Sequence, residues 1–147
     1  MRQSRAISSP RQMEDFAKTL STQLRPGDAL LLNGPLGAGK TFLAQALIKS
    51  LGVDEQVTSP TFVMVKSYRG RYPINHIDAY RLLDLPNPAQ AFEELDIDSD
   101  NSITIVEWGA GFDITGMALT ITIEIENEQS RTLTIEGPDS RWSQLSL

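Results

Sequence analysis

The spacing of hydrophobic residues changes along this chain and predicts its secondary structure. In residues 11–24 the apolar side chains recur three or four positions apart, which predicts an amphipathic helix. Residues 29–32 form an unbroken apolar run, as in a strand that is buried on both faces of a sheet. Residues 40–51 predict a second helix, which ends at Gly52. The first third of the chain therefore predicts helix, strand and helix, in that order.

The middle of the chain predicts three more strands and a short helix. Residues 61–69 and 74–78 flank the turn Gly70-Arg71-Tyr72-Pro73, which predicts a hairpin. A short helix is expected around residues 88–95, inside an acidic stretch, and residues 103–106 predict another buried strand.

The C-terminal part predicts a second hairpin, which is half exposed to solvent. Ile121, Ile123 and Ile125 alternate with polar residues, and Leu133 and Ile135 repeat this pattern. The whole pattern predicts an α/β protein in which a three-layer sandwich surrounds a mixed sheet. Residues 1–147 are expected to form a single domain, with the strand at 29–32 central and the C-terminal antiparallel hairpin at an edge.

Composition and charge exclude several classes of protein. The chain has no cysteine, which excludes disulfides, zinc–thiolate sites and cysteine nucleophiles. Its net charge of −6 argues against unaided binding to nucleic acid, although a local patch around Arg69, Arg71 and Arg81 stays open. No stretch approaches the roughly 20 apolar residues of a membrane span, and polar residues 8–11 interrupt any signal peptide. A cytoplasmic protein without a membrane partner is expected.

The segment between the first predicted strand and the second helix carries the clearest chemical signal. Residues 34–41 read Gly-Pro-Leu-Gly-Ala-Gly-Lys-Thr and match the phosphate-binding P-loop pattern in its required strand–loop–helix context. The glycines let the backbone curl so that its N–H groups face the phosphates, and the helix N-terminus adds partial positive charge. Lys40 is predicted to reach the terminal phosphates, and the Thr41 hydroxyl to bind Mg²⁺.

A P-loop also needs a carboxylate on a neighbouring strand to hold magnesium, and two candidates exist. Glu107 ends the apolar run Ile103–Val106, and Asp78 ends the less apolar run Ile74–Ile77. We assign Glu107 to the magnesium side. Asp78 would then orient or activate the attacking water or act from outside the ligand sphere of the metal, and the reverse assignment stays open.

Three neighbouring features leave alternatives open. The hydroxyls of residues 58–61 are consistent either with a segment that senses the γ-phosphate or with an ordinary turn before a strand. His76, the only histidine, is interpreted as a hydrogen-bonded structural residue and is not assigned to the site. Trp108 either shields the site or packs against it.

Several motifs together resemble the bacterial TsaE (YjeE) family. They are the P-loop at 34–41, Ser-Pro-Thr-Phe at 59–62, His-Ile-Asp-Ala-Tyr-Arg-Leu at 76–82 and Val-Glu-Trp at 106–108. The resemblance runs from about residue 10 to residue 110. It implies a small ATPase needed to form threonylcarbamoyladenosine in tRNA, acting with the proteins TsaD and TsaB and meeting tRNA through their complex. It also implies that Thr41 and Glu107 are the magnesium positions and that hydrolysis needs Asp78.

The predicted site therefore takes ATP and Mg²⁺, with Lys40 and Asp78 as catalytic residues and Thr41 and Glu107 as metal ligands. The predicted nucleotide contacts are Gly34, Leu36, Gly37, Ala38, Gly39, Lys40, Thr41, Phe42 and Thr61.

The chain departs from the family pattern at three positions. Pro35 replaces a commonly acidic residue, Phe42 a frequent second threonine, and Met13 a threonine near the expected adenine. The first two changes should leave phosphate binding intact, whereas the residues that contact the base stay open.

Three other functions are open to a P-loop protein of this size. A small-molecule kinase would need an acceptor pocket and usually a mobile lid with arginines above the phosphates. Arg69, Arg71 and Arg81 are available for this role, but the sequence has no insertion of the size of a lid. A regulatory GTPase is disfavoured because the chain has no Asn-Lys-x-Asp element. A nucleotide-gated adaptor without catalysis differs from an ATPase only in whether hydrolysis matters.

Overall fold

The computed structural model describes residues 1–58, 65–112 and 115–147, which contain a seven-stranded mixed sheet. In chain order its strands are β1 (Arg2–Ile7), β2 (Ala29–Asn33), β3 (Val65–Arg69), β4 (Pro73–Asp78), β5 (Ile103–Glu107), β6 (Leu119–Ile125) and β7 (Arg131–Glu136). Across the sheet the order is β1-β7-β6-β2-β5-β4-β3. Strand β2 runs parallel to β5 and β6, and β5 runs parallel to β4. The predicted mixed sheet with β2 at its centre is confirmed.

Helices and two hydrophobic clusters form the outer layers. The helices are α1 (Pro10–Ser21), α2 (Lys40–Ser50), α3 (Pro88–Glu93) and α4 (Asp139–Trp142), and a 3-10 turn spans Tyr80–Asp84. Side chains of β2 alternate between the two faces of the sheet. Leu30 and Leu32 join the cluster that contains α1 and α2, whereas Ala29 and Leu31 join the cluster around Phe92 of α3. The predicted three-layer sandwich is therefore confirmed.

Helix α1 begins one residue before its predicted start and ends three residues before its predicted end. The Ser9 hydroxyl accepts a hydrogen bond from the Gln12 amide, and Pro10 occupies the first turn, where its missing N–H costs nothing. At the other end, the hydroxyls of Ser21 and Thr22 donate back to carbonyls of the last turn. Such local bonds compete with continued helix, so Leu24 is buried outside the helix, although it keeps its place in the core.

The prediction that the C-terminal hairpin lies at an edge was wrong. Strands β6 and β7 do form an antiparallel hairpin, but β6 also pairs in parallel with β2, and β1 covers β7 as the edge strand. No strand was predicted for β1, because its residues are mostly polar and only Ile7, at its end, is buried in the core. Its backbone pairing with β7, together with an ion pair from Arg2 to Glu136 at 2.7 Å, holds it in place.

The other predicted elements lie at or close to their predicted positions. Strands β3 and β4 form the predicted antiparallel hairpin, of which residues 61–64 lie outside the described residues. Helix α3 is two residues shorter than predicted. No helix in the described parts of the chain is long and apolar enough to cross a membrane.

Candidate active site

The P-loop lies between the C-terminal end of β2 and the first turn of α2. Gly34, Gly37 and Gly39 have φ angles of 151°, 79° and 111°, which favour glycine. A Cβ atom at Gly34 would also stand 2.6 Å from the carbonyl oxygen of Ile123. The loop can therefore follow this path only with glycine at these positions.

The N-terminus of α2 is open toward the loop. Its N-cap is Gly39, which has no side chain to accept a bond from the first-turn amides. These amides have no partner inside the helix either, and the helix dipole adds partial positive charge at this end. The loop and the helix together offer a site suited to an anion.

Lys40 points into the site and contacts the loop itself. Its Nζ donates hydrogen bonds to the carbonyl oxygens of Gly34 at 2.6 Å and Pro35 at 2.9 Å. It also lies 3.8 Å from the centre of the Trp108 ring, a cation–π contact. Burial lowers the pKa of Lys40 below 10.5, while the charges of Glu107 and Asp78 partly oppose this shift.

A chain of short hydrogen bonds joins Thr41, Glu107 and His76. The Thr41 hydroxyl donates to Glu107 Oε1 at 2.5 Å, and the other oxygen, Oε2, lies 2.5 Å from His76 Nε2. Glu107 and His76 are both buried. The Glu107 carboxylate thus has a separate partner on each oxygen, from α2 on one side and β4 on the other.

Asp78 lies beside Glu107 because parallel strands end at the same edge of a sheet. The two residues are paired in the register of β4 and β5. Asp78 is buried, and its Oδ1 accepts a hydrogen bond from the Tyr80 amide at 3.0 Å. The structure therefore brings both predicted acids to the cleft that contains Lys40 and Thr41.

Two aromatic rings form a wall of this cleft. The rings of Tyr80 and Trp108 lie 4.9 Å apart at an interplanar angle of 52°. Trp108 has a φ of 61°, unusual for a bulky residue, and its amide donates to the carbonyl of Leu32 in β2. The cleft holds about 430 Å³ and is lined by Leu36, Gly37, Gly39, Lys40, Thr41, Phe42, Asp78, Tyr80, Glu107 and Trp108.

A second cleft of about 510 Å³ also borders the P-loop, and neither Asp78 nor Glu107 lines it. Met13 and Arg131 line it together with Ala38, Gly39 and Phe42 of the loop and α2. The Arg131 Nε donates to the Ala38 carbonyl at 3.0 Å. This bond ties β7 to the phosphate-binding loop, a contact between residues 93 positions apart that the sequence did not indicate.

The remaining predicted contacts differ in exposure. Leu36 is 87% exposed at the tip of the loop, Phe42 is partly exposed between the two clefts, and Ala38 is buried. Thr61, with the whole segment 59–64, lies outside the described residues. Two site residues were missed, His76 and Tyr80. For His76 the available signal was its place two residues before Asp78, since alternate residues of a strand share one face. Tyr80 lies in the 3-10 turn after β4, and its only signal was its place in the same motif.

The residues of the cleft fit a magnesium ion that a nucleotide shares. Thr41 and Glu107 offer the hard oxygen ligands that Mg²⁺ prefers, and they already lie in contact. No group of three histidine, aspartate or glutamate residues suited to a metal occurs among residues 1–58, 65–112 and 115–147. Magnesium usually combines one or two protein ligands with substrate phosphates and water, so this sparse donor set suits it.

This arrangement defines the class of P-loop nucleotide-binding proteins. It consists of a glycine loop at the end of a central parallel strand, a helix behind the loop and acids on the next strands. The sequence model of a family described as "Threonylcarbamoyl adenosine biosynthesis protein TsaE" matches residues 7–134. The chain belongs to the TsaE family, as its motifs predicted.

Individual relatives agree with this assignment. The tRNA threonylcarbamoyladenosine biosynthesis protein TsaE of Streptomyces coelicolor is 37% identical over 142 residues, covering 89% of this chain and 94% of the relative. The Mycobacterium tuberculosis protein of the same description is 44% identical over 101 residues, covering 63% of this chain. That match spans 60% of the mycobacterial protein. The crystal structure of Bacillus subtilis YdiB superposes with a TM-score of 0.78 at 26% identity, covering 99% of this chain and 91% of that one.

Proposed function

We propose that this chain is a magnesium-dependent ATPase that acts with TsaD and TsaB in forming threonylcarbamoyladenosine in tRNA. The proposal depends on one contact above all, the hydrogen bond from Thr41 to Glu107 at the foot of the P-loop. It joins the first turn of the phosphate-binding helix to an acid at the end of a neighbouring strand, which is where a P-loop ATPase holds magnesium. Family membership supports the tRNA-modification role.

In this proposal the phosphates bind to the loop amides and to the N-terminus of α2. Lys40 exchanges its bonds to the carbonyls of Gly34 and Pro35 for bonds to the terminal phosphates. Charge-assisted bonds of this kind contribute about 1.5–3 kcal/mol each. The Trp108 ring keeps the ammonium group pointing into the cleft.

Thr41 and Glu107 would hold the magnesium ion, which when bound neutralises charge on the phosphates. The Thr41 hydroxyl can donate its proton to Glu107 while its lone pairs face the cleft. Asp78, next to Glu107 in the register, would orient the attacking water. Tyr80 and Trp108 would limit the entry of other water molecules.

The adenine base would occupy the cleft between Met13 and Arg131. This cleft shares Gly39 and Phe42 with the Lys40 cleft, so a nucleotide can extend along the loop from one cleft to the other. The apolar Met13 side chain and the Arg131 guanidinium suit the faces of a planar base.

Hydrolysis by the isolated chain is expected to be slow. No arginine lines the Lys40 cleft within the described part of the chain. An arginine that stabilises the transition state raises the rate of P-loop enzymes by about 10³–10⁵. A partner protein that supplied or ordered such a group would explain the need for a complex.

The positions of the arginines disfavour a kinase. The Arg71 amide donates to the Leu51 carbonyl, beyond the C-terminal end of α2, and Arg69 lies in the same hairpin. Lys40 is at the opposite end of this 11-residue helix, roughly 15 Å away. Arg81 follows Tyr80 at the site end of β4 but does not line the Lys40 cleft, and it lies at the opposite end of this strand from Arg69 and Arg71. The three arginines therefore do not form the single basic patch that the sequence left open.

The experiment that tests the proposal is steady-state ATP hydrolysis by the purified chain, alone and with TsaB and TsaD. We expect slow, magnesium-dependent turnover that the complex stimulates. Absence of both stimulation and association would refute the role in the complex. A nucleotide-gated adaptor would instead retain modification activity when Asp78→Ala abolishes hydrolysis.

A further inference from the structure

His76 is the most deeply buried polar group of the site, and the proposed ATPase mechanism does not use it. It lies in β4, two residues before Asp78, with a side chain that is 0% exposed. Its neighbours on the same face include Ile74 in β4 and Ile105, its register partner in β5. An imidazole in such apolar surroundings needs a polar partner to offset the loss of water.

The hydrogen bonds of His76 identify that partner. Its Nδ1 has no hydrogen-bond partner among the described residues, whereas Nε2 lies 2.5 Å from Glu107 Oε2. A carboxylate oxygen only accepts, so Nε2 must carry the proton. The one hydrogen bond that this buried ring makes within residues 1–58, 65–112 and 115–147 is thus directed at the acid that faces Thr41.

The bond from His76 to Glu107 Oε2 fixes the orientation of the Glu107 carboxylate, because the other oxygen, Oε1, also has a partner. Oε1 accepts from the Thr41 hydroxyl, and a glutamate side chain with one anchored oxygen can still turn about its terminal bond. Anchoring both oxygens fixes the plane of the carboxylate. Metal-ligating carboxylates are commonly held in this way by an outer hydrogen bond.

We propose that His76 is a positioning residue that orients Glu107 toward Thr41 and thereby sets the affinity of the nucleotide complex for magnesium. This inference rests on the proposed function, since it takes Thr41 and Glu107 as the magnesium positions. His76 itself touches neither nucleotide nor metal in this assignment. Loss of such an outer partner commonly weakens metal binding by about 10- to 100-fold.

Two substitutions of matched length separate positioning from packing. His76→Gln retains an N–H donor for Glu107, whereas His76→Met fills similar space without one. Binding of a fluorescent ATP analogue is measured first in EDTA and then during titration with Mg²⁺. In EDTA we expect His76→Met to bind the ATP analogue within about twofold of the wild-type affinity. The magnesium concentration that gives half-saturation should rise about tenfold in this variant. His76→Gln should stay near wild type.

Thr104→Val is the matched control. Thr104 is buried in β5, three residues before Glu107 and so on the opposite face of the sheet. Its hydroxyl has no hydrogen-bond partner in the described parts of the chain. This variant should bind magnesium like wild type. Unchanged magnesium half-saturation in His76→Met, with wild type responding to Mg²⁺, overturns the inference alone. A wild-type protein whose nucleotide binding ignores Mg²⁺ overturns both the inference and the proposed function.

A second measurement needs no variant, because the chain has a single histidine. In nitrogen-15 NMR of the wild-type protein loaded with a non-hydrolysable ATP analogue, all imidazole signals belong to His76. Adding Mg²⁺ should shift the Nε2 signal, since a metal at Glu107 changes the charge of the group to which Nε2 donates. An unchanged Nε2 signal at saturating Mg²⁺ overturns the inference.

Discussion

Asp78 and Glu107 occupy paired positions at the ends of β4 and β5, yet their carboxylates have different hydrogen-bond partners. Glu107 accepts from the side chains of Thr41 and His76, whereas Asp78 accepts from the backbone amide of Tyr80. The contact with Thr41 assigns Glu107 to the magnesium side in our proposal. Asp78 lies beside Glu107, and in our proposal it orients the attacking water.

Exchanging each acid for its amide should separate these duties. We expect Glu107→Gln to raise the magnesium half-saturation concentration about tenfold, because a neutral amide is a poorer ligand. Asp78→Asn should lower kcat about 100-fold with nucleotide affinity unchanged, because the water loses its partner. The checks are magnesium titration and single-turnover hydrolysis. A magnesium defect confined to Asp78→Asn would mean that the roles are reversed.

Removing the Lys40 ammonium group should weaken triphosphate binding. Bonds worth about 1.5–3 kcal/mol correspond to about a 10- to 100-fold loss of affinity for Lys40→Met. Calorimetric titration with a non-hydrolysable ATP analogue measures this. Lys49→Met, at an exposed position in the last turn of the same helix, is the control and should bind normally. Wild-type affinity in Lys40→Met would contradict the placement of the phosphates at the loop.

Lys40 should also give folding stability a particular pH dependence. Burial lowers its pKa in the folded chain, so between that lowered value and 10.5 the unfolded chain binds more protons. The contribution of Lys40 to the free energy of unfolding therefore rises with pH across this window. Urea unfolding of wild type and Lys40→Met from pH 8 to pH 10 should show wild type gaining stability relative to the variant. A relative loss would contradict the sign of the shift.

The second cleft predicts a role for Arg131 in base binding. Arg131→Met should weaken ATP binding about two- to fivefold, the range of an exposed cation–π contact of about 0.5–1 kcal/mol. Binding of inorganic triphosphate, which has no base, should change less. Competition with a fluorescent nucleotide measures both affinities. Equal losses for the two ligands would indicate that Arg131 acts through its bond to Ala38 rather than on the base.

The C-terminal helix should contribute to stability through one buried ion pair. Arg141 donates to both carboxylate oxygens of Asp28, at 2.8 and 2.7 Å, across the turn that precedes β2. Arg141→Met would leave this buried carboxylate without its cation, which should cost about 3 kcal/mol of the free energy of unfolding. Chemical denaturation tests this value. The double variant Asp28→Asn/Arg141→Met should recover part of the loss, and further destabilisation would argue against the pair.

The sequence alone determined the features whose cause is local. A continuous apolar run predicts β2, and the glycines of residues 34–41 predict the loop, because both patterns report on backbone conformation and burial. The motifs likewise predicted the TsaE family. Bringing Asp78 and Glu107 together required only that parallel strands end at the same edge.

Tertiary structure decided the features that depend on partners distant in the chain. Strand β1 has no apolar pattern and forms because β7 offers it an unpaired edge. As a result β1, and not the C-terminal hairpin, is the edge strand on this side of the sheet. His76 is a core residue by its spacing, and only the pairing of β4 with β5 brings its Nε2 to Glu107. Arg131 approaches the P-loop from β7 in the same way. A side chain's hydrogen-bond partner across a sheet depends on strand order and register, which the pattern of a single strand does not contain.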